Sequence, residues 1–511
     1  QLEKSTDQTY PYVVKLYDSA GLLMSTVGTG RILNITEEYF FFEGNDNVTG
    51  SVFGASDITA SSVTLSGIHS PTETQVTNYL QQYFAVDPSA QTGNTTNLKM
   101  VVNQSFLGST QTQDTWSNNP ISVSMSDSHI VTMGMNAHGM VLQNLGSVGG
   151  AWSSNGSKLN MGITLSGSNA NGDTPGGKVS LTLDASTVDA KGVNARGVVI
   201  QSAGAGPGGN GDQGQIIVNI NNQSRIYSAQ HTALMIVGGS FDSLTAGRNT
   251  VNVNSGTIQS GAYMSSHSAA IDNTDAAYNK WGVYAPTGYT NINLIIGGSI
   301  YGNVLLGIVT KGDFNIQSAA AWHGSTAIVA NNSLHNYGTI YAGGNGSTGG
   351  LFIDGSLKHY AGGEIHVDVH PAGNAESNDV ITVTGLARIE GEFVPQTQSL
   401  LPGGYQFLTA GTLEFSGSVR DAHVFDWEIA VNGNSLSKSA TANFTPAGYS
   451  LTGNQGSFAD YLQQHWNASS IDHAALFGYI HEKEKGDHAG YQNTLNQLSG
   501  QVLNSQAIQM K

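Results

Sequence analysis

Three short segments contain residue types that could do chemistry, and each lacks a residue that its chemistry requires. His481-Glu482-Lys483-Glu484-Lys485 begins like the helix of a zinc protease, but the second histidine that would bind the metal is missing. Asn345-Gly346-Ser347-Thr348-Gly349 lacks the first glycine of a nucleophile elbow. Gly208-Gly209-Asn210-Gly211-Asp212 is a single near-match to the calcium-binding nonapeptide, which normally occurs as a series. We therefore predict no catalytic residues, no metal site and no cofactor.

The acidic residues and the histidines are scattered along the sequence. We expect Asp184, Asp189 and Asp368 to lie at corners or on the surface of the fold. The sequence leaves open a pair of carboxylates brought together by folding, which is the arrangement that a glycosidase needs. Six histidines are expected on the surface rather than in a metal site: His138, His231, His267, His323, His366 and His370.

One segment rich in aromatic residues, between residues 278 and 289, offers stacking against sugars or peptides. We predict that Trp281, Tyr284 and Tyr289 contact a ligand, with Lys280 as a nearby charge. Loops on a rigid scaffold commonly carry binding residues. The alternative interpretation is that these rings cover the flank of the fold.

A repeated phrase of strand and turn must position these residues. Val218-Asn219-Ile220, Val251-Asn252-Val253 and Ile292-Asn293-Leu294 each precede a turn of small residues and a β-branched residue. Six equivalent positions lie 58, 38, 32, 42 and 40 residues apart: Ile130, Val188, Ile226, Ile258, Ile300 and Ile340. We interpret these spacings as two or three coils of about 20 residues each, with loop insertions. The predicted fold class is all-β, a parallel β-helix with Val, Ile and Leu inside and Gly and Asn at the corners.

Composition and charge restrict the classes of function. The chain has 511 residues, of which 11% are charged, and a formal net charge of −17, which argues against nucleic-acid binding because no basic cluster could neutralise phosphates. It has no cysteine, which excludes disulfides and Cys-ligated zinc. No run of about 18 apolar residues predicts a membrane helix. Gln1-Leu2-Glu3-Lys4 has no signal-peptide core, so we expect a cytosolic or an already processed chain.

Changes in the pattern of predicted strands, turns and helices divide the chain into four segments. We predict an N-terminal cap and the first coils over residues 1–66, followed by the β-helix over 67–348. Insertions are expected at about 70–97, 143–178 and 272–291. Strands with longer turns follow over 349–447, and residues 448–511 form a helical tail.

The helical tail is expected to contain three helices. The first is predicted near Gly456 and the third over residues 491–510, while Ser470 caps the second. The apolar residues at helical spacing predict the buried faces of the first two: Phe458, Tyr461, Leu462, His465 and Trp466, then Ile471, Ala475, Leu476, Tyr479 and Ile480.

Four segments carry a resemblance to a known family. Asn378 to Gly391 resembles the "sDxLxVxGxaxlxG" segment in the passengers of autotransporters, the type V secreted surface proteins of Gram-negative bacteria. Leu495 to Gln501 is similar to that family's "aLxqLSGe" helix, with Gln501 where Glu is common. Asn194 to Gly204 resembles a degenerate "xAxGixaQSiGGGGG" repeat, and Asn136 to Gly146 is a weaker copy.

The resemblance implies a right-handed β-helix on the cell surface. Residues 349–447 would then be the autochaperone-like region, and an outer-membrane barrel outside this chain would tether it. The function expected from this resemblance is a non-catalytic adhesin that binds host matrix protein or glycan. Two alternatives stay open: self-association between passengers in aggregates and biofilm, and a carbohydrate-active lyase or glycosidase acting along the β-helix.

Overall fold

The structure is a computed structural model that describes the larger part of the 511-residue chain. The described residues are 2–4, 12–17, 23–27, 32–36, 39–42, 48–50, 58–66, 99–105, 121–132, 139–145, 178–192, 195–203, 215–238, 249–261, 269–273, 289–306, 312–344, 349–370, 378–484 and 488–499. They fall into two compact units: residues 1–322 with 326–334, and residues 323–325 with 335–511.

Short strands make up the first unit. Their bounds are β1 Leu2–Lys4, β2 Tyr12–Tyr17, β3 Leu23–Val27, β4 Ile32–Thr36, β5 Tyr39–Phe42, β6 Val48–Gly50, β7 Ile58–Ser66, β8 Lys99–Ser105, β9 Ile121–Thr132, β10 Met140–Leu145, β11 Val179–Asp184, β12 Thr187–Ala190, β13 Val198–Ala203, β14 Ile216–Asn221, β15 Arg225–Ser228, β16 Leu234–Gly238, β17 Asn249–Asn254, β18 Thr257–Ser260, β19 Ala269–Asp272, β20 Thr290–Leu294, β21 Ser299–Tyr301, β22 Asn303–Leu305 and β23 Phe314–Ile316. The strands β24 Ala321–Gly324 and β25 Thr326–Asn336 are divided between the two units.

Most of the first unit is a parallel β-helix with three strands in each coil, while several strands nearer the N-terminus pair antiparallel, as β1 does with β2 and β7 with β9. From β10 to β22, each strand pairs in parallel with the strand three places later in the chain, as β11 does with β14 and β12 with β15. Apolar residues alternate with half-buried ones, so Val, Ile and Leu stack inside while polar side chains point outward. The predicted fold class is therefore confirmed.

The equivalent positions found in the sequence stack in one internal column. Val188 pairs with Ile130 and with Ile226, and the column continues through Ile258 to Ile300. The four spacings from Ile130 to Ile300 are thus single coils, and the prediction of two or three coils was wrong for them. The spacing from Ile300 to Ile340 contains a further strand, β24, and agrees with the prediction of two coils. The extra length lies in the connections between the third strand of one coil and the first strand of the next, such as residues 204–215 after β13.

The corner between the first two strands of a coil needs a left-handed backbone, and glycine is not its usual residue. Ser128 N donates to Ser186 Oγ and Ser186 N donates to Ser224 Oγ, both at 3.0 Å, so the corner is held by buried serines stacked between coils. These bonds offset the cost of about 1–2 kcal/mol that a left-handed residue carries. The residues with positive φ at successive corners are Asp127, Ala185, Asn222, Gln223, Ser255, Gly297 and Ala319. The prediction of Gly and Asn was therefore only partly right.

The repeated Asn-Ala-x-Gly phrase has a direct packing reason. A Cβ added to Gly139 would lie 2.6 Å from the carbonyl oxygen of Gly197, which is the equivalent residue one coil later. Gly139 N donates to Arg196 O, which holds the two phrases in register. The glycine is therefore required by the close approach of consecutive coils.

Longer strands and a helical tail make up the second unit. Its further strands are β26 Thr339–Ala342, β27 Gly350–His359, β28 Glu364–Val369, β29 Val380–Ile389, β30 Glu392–Thr397, β31 Gly403–Phe415, β32 Ser418–Val419, β33 Phe425–Asn432 and β34 Ser435–Ala442. Parallel pairing now joins every second strand, as in β27 with β29 and β28 with β30. Antiparallel pairing of β31 with β34, and of β34 with β33, follows the last coils.

The tail contains the helices α1 Gly453–Asn467, α2 Ala474–Glu484 and α3 His488–Leu498, with a 3-10 turn over Ile471–His473. Thr452 and Gln455 form a capping box at the start of α1. The predicted apolar face of α1 was partly right, since Leu462 and Trp466 are buried together with Ala459. The predicted face of α2 was largely wrong, because tertiary packing buries the face that bears Phe477. Tyr461, Ile471 and Tyr479 are exposed, and Ser470 bonds to His473 instead of capping a helix. Among the described residues, no helix is both long and apolar enough to span a lipid bilayer.

Candidate functional site

The four residues predicted to contact a ligand are not brought together in the described part of the chain. Lys280, Trp281 and Tyr284 lie outside the described residues, as does the insertion expected at about 70–97. Tyr289 lies just before β20 and is half-buried. Its carbonyl oxygen accepts a hydrogen bond from Asn249 N at 2.7 Å. The prediction of a ligand contact in this segment stays a prediction.

A ladder of asparagines runs along the outside of the first unit. Asn252 Nδ2 donates to Asn219 Oδ1 and Asn293 Nδ2 donates to Asn252 Oδ1, both at 2.9 Å. Asn315 Nδ2 extends the ladder to Asn293 Oδ1 at 3.1 Å. We call these four residues the asparagine ladder. Its side chains occupy the same outward position on β14, β17, β20 and β23, and the ladder fixes the orientation of each amide.

The second unit carries a row of half-buried rings that we call the His–Tyr row, formed by His323, Tyr341 and His366. His323 and Tyr341 stack with ring centroids 4.2 Å apart and planes 4° from parallel. Tyr341 and His366 follow at 4.5 Å and 47°. Tyr341 and His366 are register partners on β26 and β28, so the backbone pairing places one ring above the other. Stacking covers the ring faces, and the row therefore presents ring edges with their hydroxyl and imidazole nitrogen groups.

Polar neighbours fix the protonation of the His–Tyr row. Gln396 Nε2 lies 2.7 Å from His366 Nδ1, and His366 Nε2 lies 2.8 Å from Glu364 Oε2. If the amide donates to Nδ1, the imidazole proton sits on Nε2 and is donated to the carboxylate. Burial, together with the nearby His366, lowers the pKa of His323 to about 4. The His323 imidazole is therefore neutral at neutral pH.

An arginine joins two carboxylates beside the His–Tyr row. Arg420 Nη2 lies 2.6 Å from Glu364 Oε1, and Arg420 Nε lies 2.8 Å from Glu392 Oε2. Glu364 and Glu392 are register partners on β28 and β30. Partial burial would raise the pKa of Glu364, but the hydrogen bonds from His366 and Arg420 outweigh it and lower that pKa. We call these three residues the arginine clamp, and it keeps Glu364 ionised.

Two of the acidic residues expected at corners or on the surface are buried instead. Asp189 is 2% exposed and pairs with Arg225, whose Nη2 lies 2.5 Å from its Oδ2. Asp368 is 4% exposed, and its backbone N–H donates to Asp379 Oδ2 at 2.8 Å. The burial of these two carboxyls could not be predicted from the sequence, because a hydrophilic residue can be buried once a neighbouring strand supplies a hydrogen-bond partner. Asp184 is half-buried at its corner, where Asn222 donates to it.

Two hydroxyl–imidazole pairs resemble the nucleophile and base of a hydrolase, but neither is completed as a catalytic triad in the described residues. Thr397 Oγ1 lies 2.9 Å from His481 Nδ1, and Ser399 Oγ lies 3.0 Å from His370 Nδ1. Thr397 and Ser399 are each only 4% exposed. His481 Nε2, which a triad would join to a carboxylate, is buried without a hydrogen-bond partner. The first pair therefore joins β30 to α2, the second joins the residues that follow β30 and β28, and neither forms an accessible site.

A signal for the His–Tyr row was present in the sequence. Tyr341 and His366 directly follow Ile340 and Ile365, which are paired residues of the internal column. The same position in the first unit carries a row of its own, with Tyr227, Gln259 and Tyr301 in register. The residue that directly follows each residue of the internal column is thus the sequence signal for a row of aromatic side chains on the outside of the coils.

No group of three or more His, Cys, Asp or Glu side chains among the described residues is placed to hold a metal ion. No protein-family model matches the chain, and no curated protein matches it.

Proposed function

We propose that this chain is a non-catalytic adhesin, the passenger of an autotransporter displayed on a Gram-negative cell surface and anchored at the outer membrane. The parallel β-helix supports the proposal. The segment Asn378 to Gly391 supports it too, since its characteristic residues have structural roles. Asp379 accepts two backbone hydrogen bonds, and Gly385 and Gly391 lie against neighbouring backbone where a Cβ would not fit.

The arginine clamp beside the His–Tyr row is the observation that carries the proposal. The arginine clamp and the His–Tyr row together present hydrogen-bonding groups in fixed positions on adjacent strands. Such a surface suits recognition of a polar ligand, for example a host glycan or a matrix protein. A glycosidase needs one carboxylic acid whose pKa is raised so that it can donate a proton. Arg420 and His366 lower the pKa of Glu364, which is the opposite tuning.

Self-association is a second mode of adhesion that the asparagine ladder favours. Its four amides form a straight polar row, and a row of the same kind on another copy could exchange hydrogen bonds with it. No pocket is needed for such an interaction. The ligand contact predicted at Lys280, Trp281, Tyr284 and Tyr289 is a third possible place of binding on the same protein.

A carbohydrate-active enzyme is the alternative from another class. The specific observation in its favour is that Glu364 and Glu392 lie in register on adjacent strands of one face. Release of sugar products by the purified chain, abolished by Glu364→Gln and by Glu392→Gln, would favour this alternative over adhesion.

The test is binding of the purified chain to matrix proteins, glycosaminoglycans, neutral glycans and the immobilised chain itself. We expect saturable binding that is weakened by Tyr341→Phe, which removes a hydroxyl at the edge of the row while keeping the ring. Phe352→Ala is the control, because Phe352 is an exposed ring, 41% accessible, on β27 of the same unit.

Three results would change the assignment. Loss of binding in Trp281→Ala with full binding in Tyr341→Phe would place the contact in the segment around residue 281. Binding only to the immobilised chain would make self-association the function. Absence of binding across the panel would contradict the adhesin proposal and turn attention to glycan cleavage.

A further inference from the structure

Two tyrosines stack face to face at one corner of the second unit. The rings of Tyr337 and Tyr360 have centroids 4.0 Å apart and planes 2° from parallel. Tyr337 is 45% exposed and Tyr360 is half-buried, so small oxidants can reach the pair. The two residues lie at the same corner of consecutive coils, because Tyr337 directly follows β25 and Tyr360 directly follows β27.

A histidine completes the arrangement. His335 Nδ1 lies 2.9 Å from the Tyr360 hydroxyl, and the two rings stack at 5.9 Å with planes 10° apart. The corner is rigid, since Tyr360 N donates to Asn336 O at 3.0 Å and Asn336 Oδ1 accepts from Gly338 N at 3.1 Å. Removing an electron from a phenol makes its proton strongly acidic, and His335 Nδ1 is placed to accept that proton.

We propose that Tyr337 and Tyr360 are a modification site at which hydrogen peroxide, used by a haem peroxidase, joins consecutive coils through a dityrosine bond. Each phenol loses one electron and one proton, and the proton of Tyr360 passes first to His335. The two radicals then form a carbon–carbon bond between their ring positions ortho to the hydroxyls, and two hydrogens return to the oxygens as the rings regain aromaticity. Over the whole reaction two ring hydrogens are lost, and one hydrogen peroxide is reduced to two waters.

Two further observations agree with this assignment. Burial and a hydrogen bond with Tyr337 raise the pKa of Tyr360 to about 12, so at neutral pH the phenol keeps its proton and needs an acceptor on oxidation. The chain has no cysteine, so disulfides are not a means of joining its coils. A tyrosine cross-link would supply a covalent connection without thiols, and the proposal does not depend on which ligand an adhesin binds.

The experiment treats the full chain with a haem peroxidase and hydrogen peroxide at low protein concentration and then digests it with trypsin. Tyr337 lies in the expected peptide 312–358, whereas Tyr360 is the one tyrosine of the peptide 359–388. We expect these peptides joined, with a mass two hydrogens below their sum, in protein that migrates as a monomer on a denaturing gel.

Matched variants make the test specific. Tyr337→Phe and Tyr360→Phe keep the stacked rings and should abolish the joined peptide. Tyr341→Phe is the control, since Tyr341 lies in the same peptide and should not contribute to the cross-link. His335→Gln should slow the cross-linking by about tenfold or more, as expected when a positioned proton acceptor is removed.

Several outcomes would overturn the proposal. They are oxidation of other tyrosines without the 312–358 to 359–388 product, a joined peptide confined to the dimer band, and an undiminished yield in Tyr337→Phe. An unchanged rate in His335→Gln would overturn the role given to His335.

Discussion

Asp379 Oδ1 accepts a hydrogen bond from the backbone nitrogen of Gly349, 30 residues earlier in the chain, at 2.6 Å. Its second oxygen accepts from Asp368 N at 2.8 Å. One fully buried carboxyl thus satisfies two backbone donors, one directly before β27 and one within β28. Backbone hydrogen bonding therefore gives the acidic residue of the segment 378–391 a structural role.

Asp379→Asn should destabilise the second unit although the side chains have the same size. The amide introduced at this position would have one acceptor where two backbone N–H groups need one each, and its NH₂ would face one of these donors. We expect a loss of about 1–3 kcal/mol in the free energy of unfolding, measured with urea. Asp354→Asn is the control, because Asp354 accepts one hydrogen bond, from Thr384 Oγ1 at 2.9 Å, and an amide oxygen can still accept it. Equal losses in both variants would contradict this account.

Gly385→Ala should also be destabilising. A Cβ at residue 385 would lie 2.7 Å from Gly355 O and 3.0 Å from Ser356 Oγ, so β27 and β29 would have to separate. We expect a cost of about 1–3 kcal/mol, which is typical of overpacking, measured by thermal or urea unfolding. Gly350→Ala serves for comparison, since its Cβ would meet Val380 O at an ordinary 3.7 Å. The explanation fails if Gly350→Ala costs as much as Gly385→Ala.

The sequence predicted the internal column well and the coil length poorly, for a physical reason. The column from Ile130 to Ile300 is encoded locally, since a buried β-branched residue recurs after each turn of small residues. The number of residues in a coil depends on connections whose length hardly affects the core. Helix α2 shows the same limit, because which face is buried is decided by tertiary contacts: Phe477 is buried while Tyr479 is exposed.

The candidate site could not be assembled from the sequence without the register between coils. Tyr341 and His366 are 25 residues apart, and they meet only because β26 and β28 pair at those positions. Arg420 reaches Glu364 across 56 residues of sequence. The aromatic segment around Trp281 can be identified from the sequence because its aromatic residues are close together there. The rings of the His–Tyr row, in contrast, lie on three different strands.

The asparagine ladder gives a graded prediction. Asn293 both donates to Asn252 and accepts from Asn315, whereas Asn315 makes one ladder bond to Asn293. Asn293→Ala should therefore cost about 1–2 kcal/mol in unfolding free energy and Asn315→Ala about half of that, at about 1 kcal/mol or less for each lost bond. Urea unfolding of the two variants checks this prediction. A larger loss of unfolding free energy for Asn315→Ala than for Asn293→Ala would show that the ladder hydrogen bonds do not contribute additively.

Glu484 gives a prediction for the dependence of stability on pH. This residue of α2 is fully buried, and Val424 N donates to its Oε1 at 2.9 Å. Its Oε2 is buried without a hydrogen-bond partner. Burial is the main cause that raises the pKa of Glu484 to about 8. Between about pH 4.5 and pH 8 the unfolded chain has lost this proton while the folded chain keeps it, so the contribution of Glu484 to stability falls as the pH rises.

Glu484→Gln should remove this dependence, because glutamine keeps an oxygen that can accept from Val424 N and does not ionise. Relative to the unsubstituted chain, the variant should gain roughly 2–4 kcal/mol in unfolding free energy between pH 5 and pH 8, since one pKa unit corresponds to about 1.4 kcal/mol. Urea unfolding at several pH values measures the difference. Glu428→Gln, at an exposed position of β33, is the control for the same substitution on the surface of the unit. If the difference in unfolding free energy between Glu484→Gln and the unsubstituted chain stayed constant across this range, Glu484 would be ionised in the folded protein, and the prediction would be wrong.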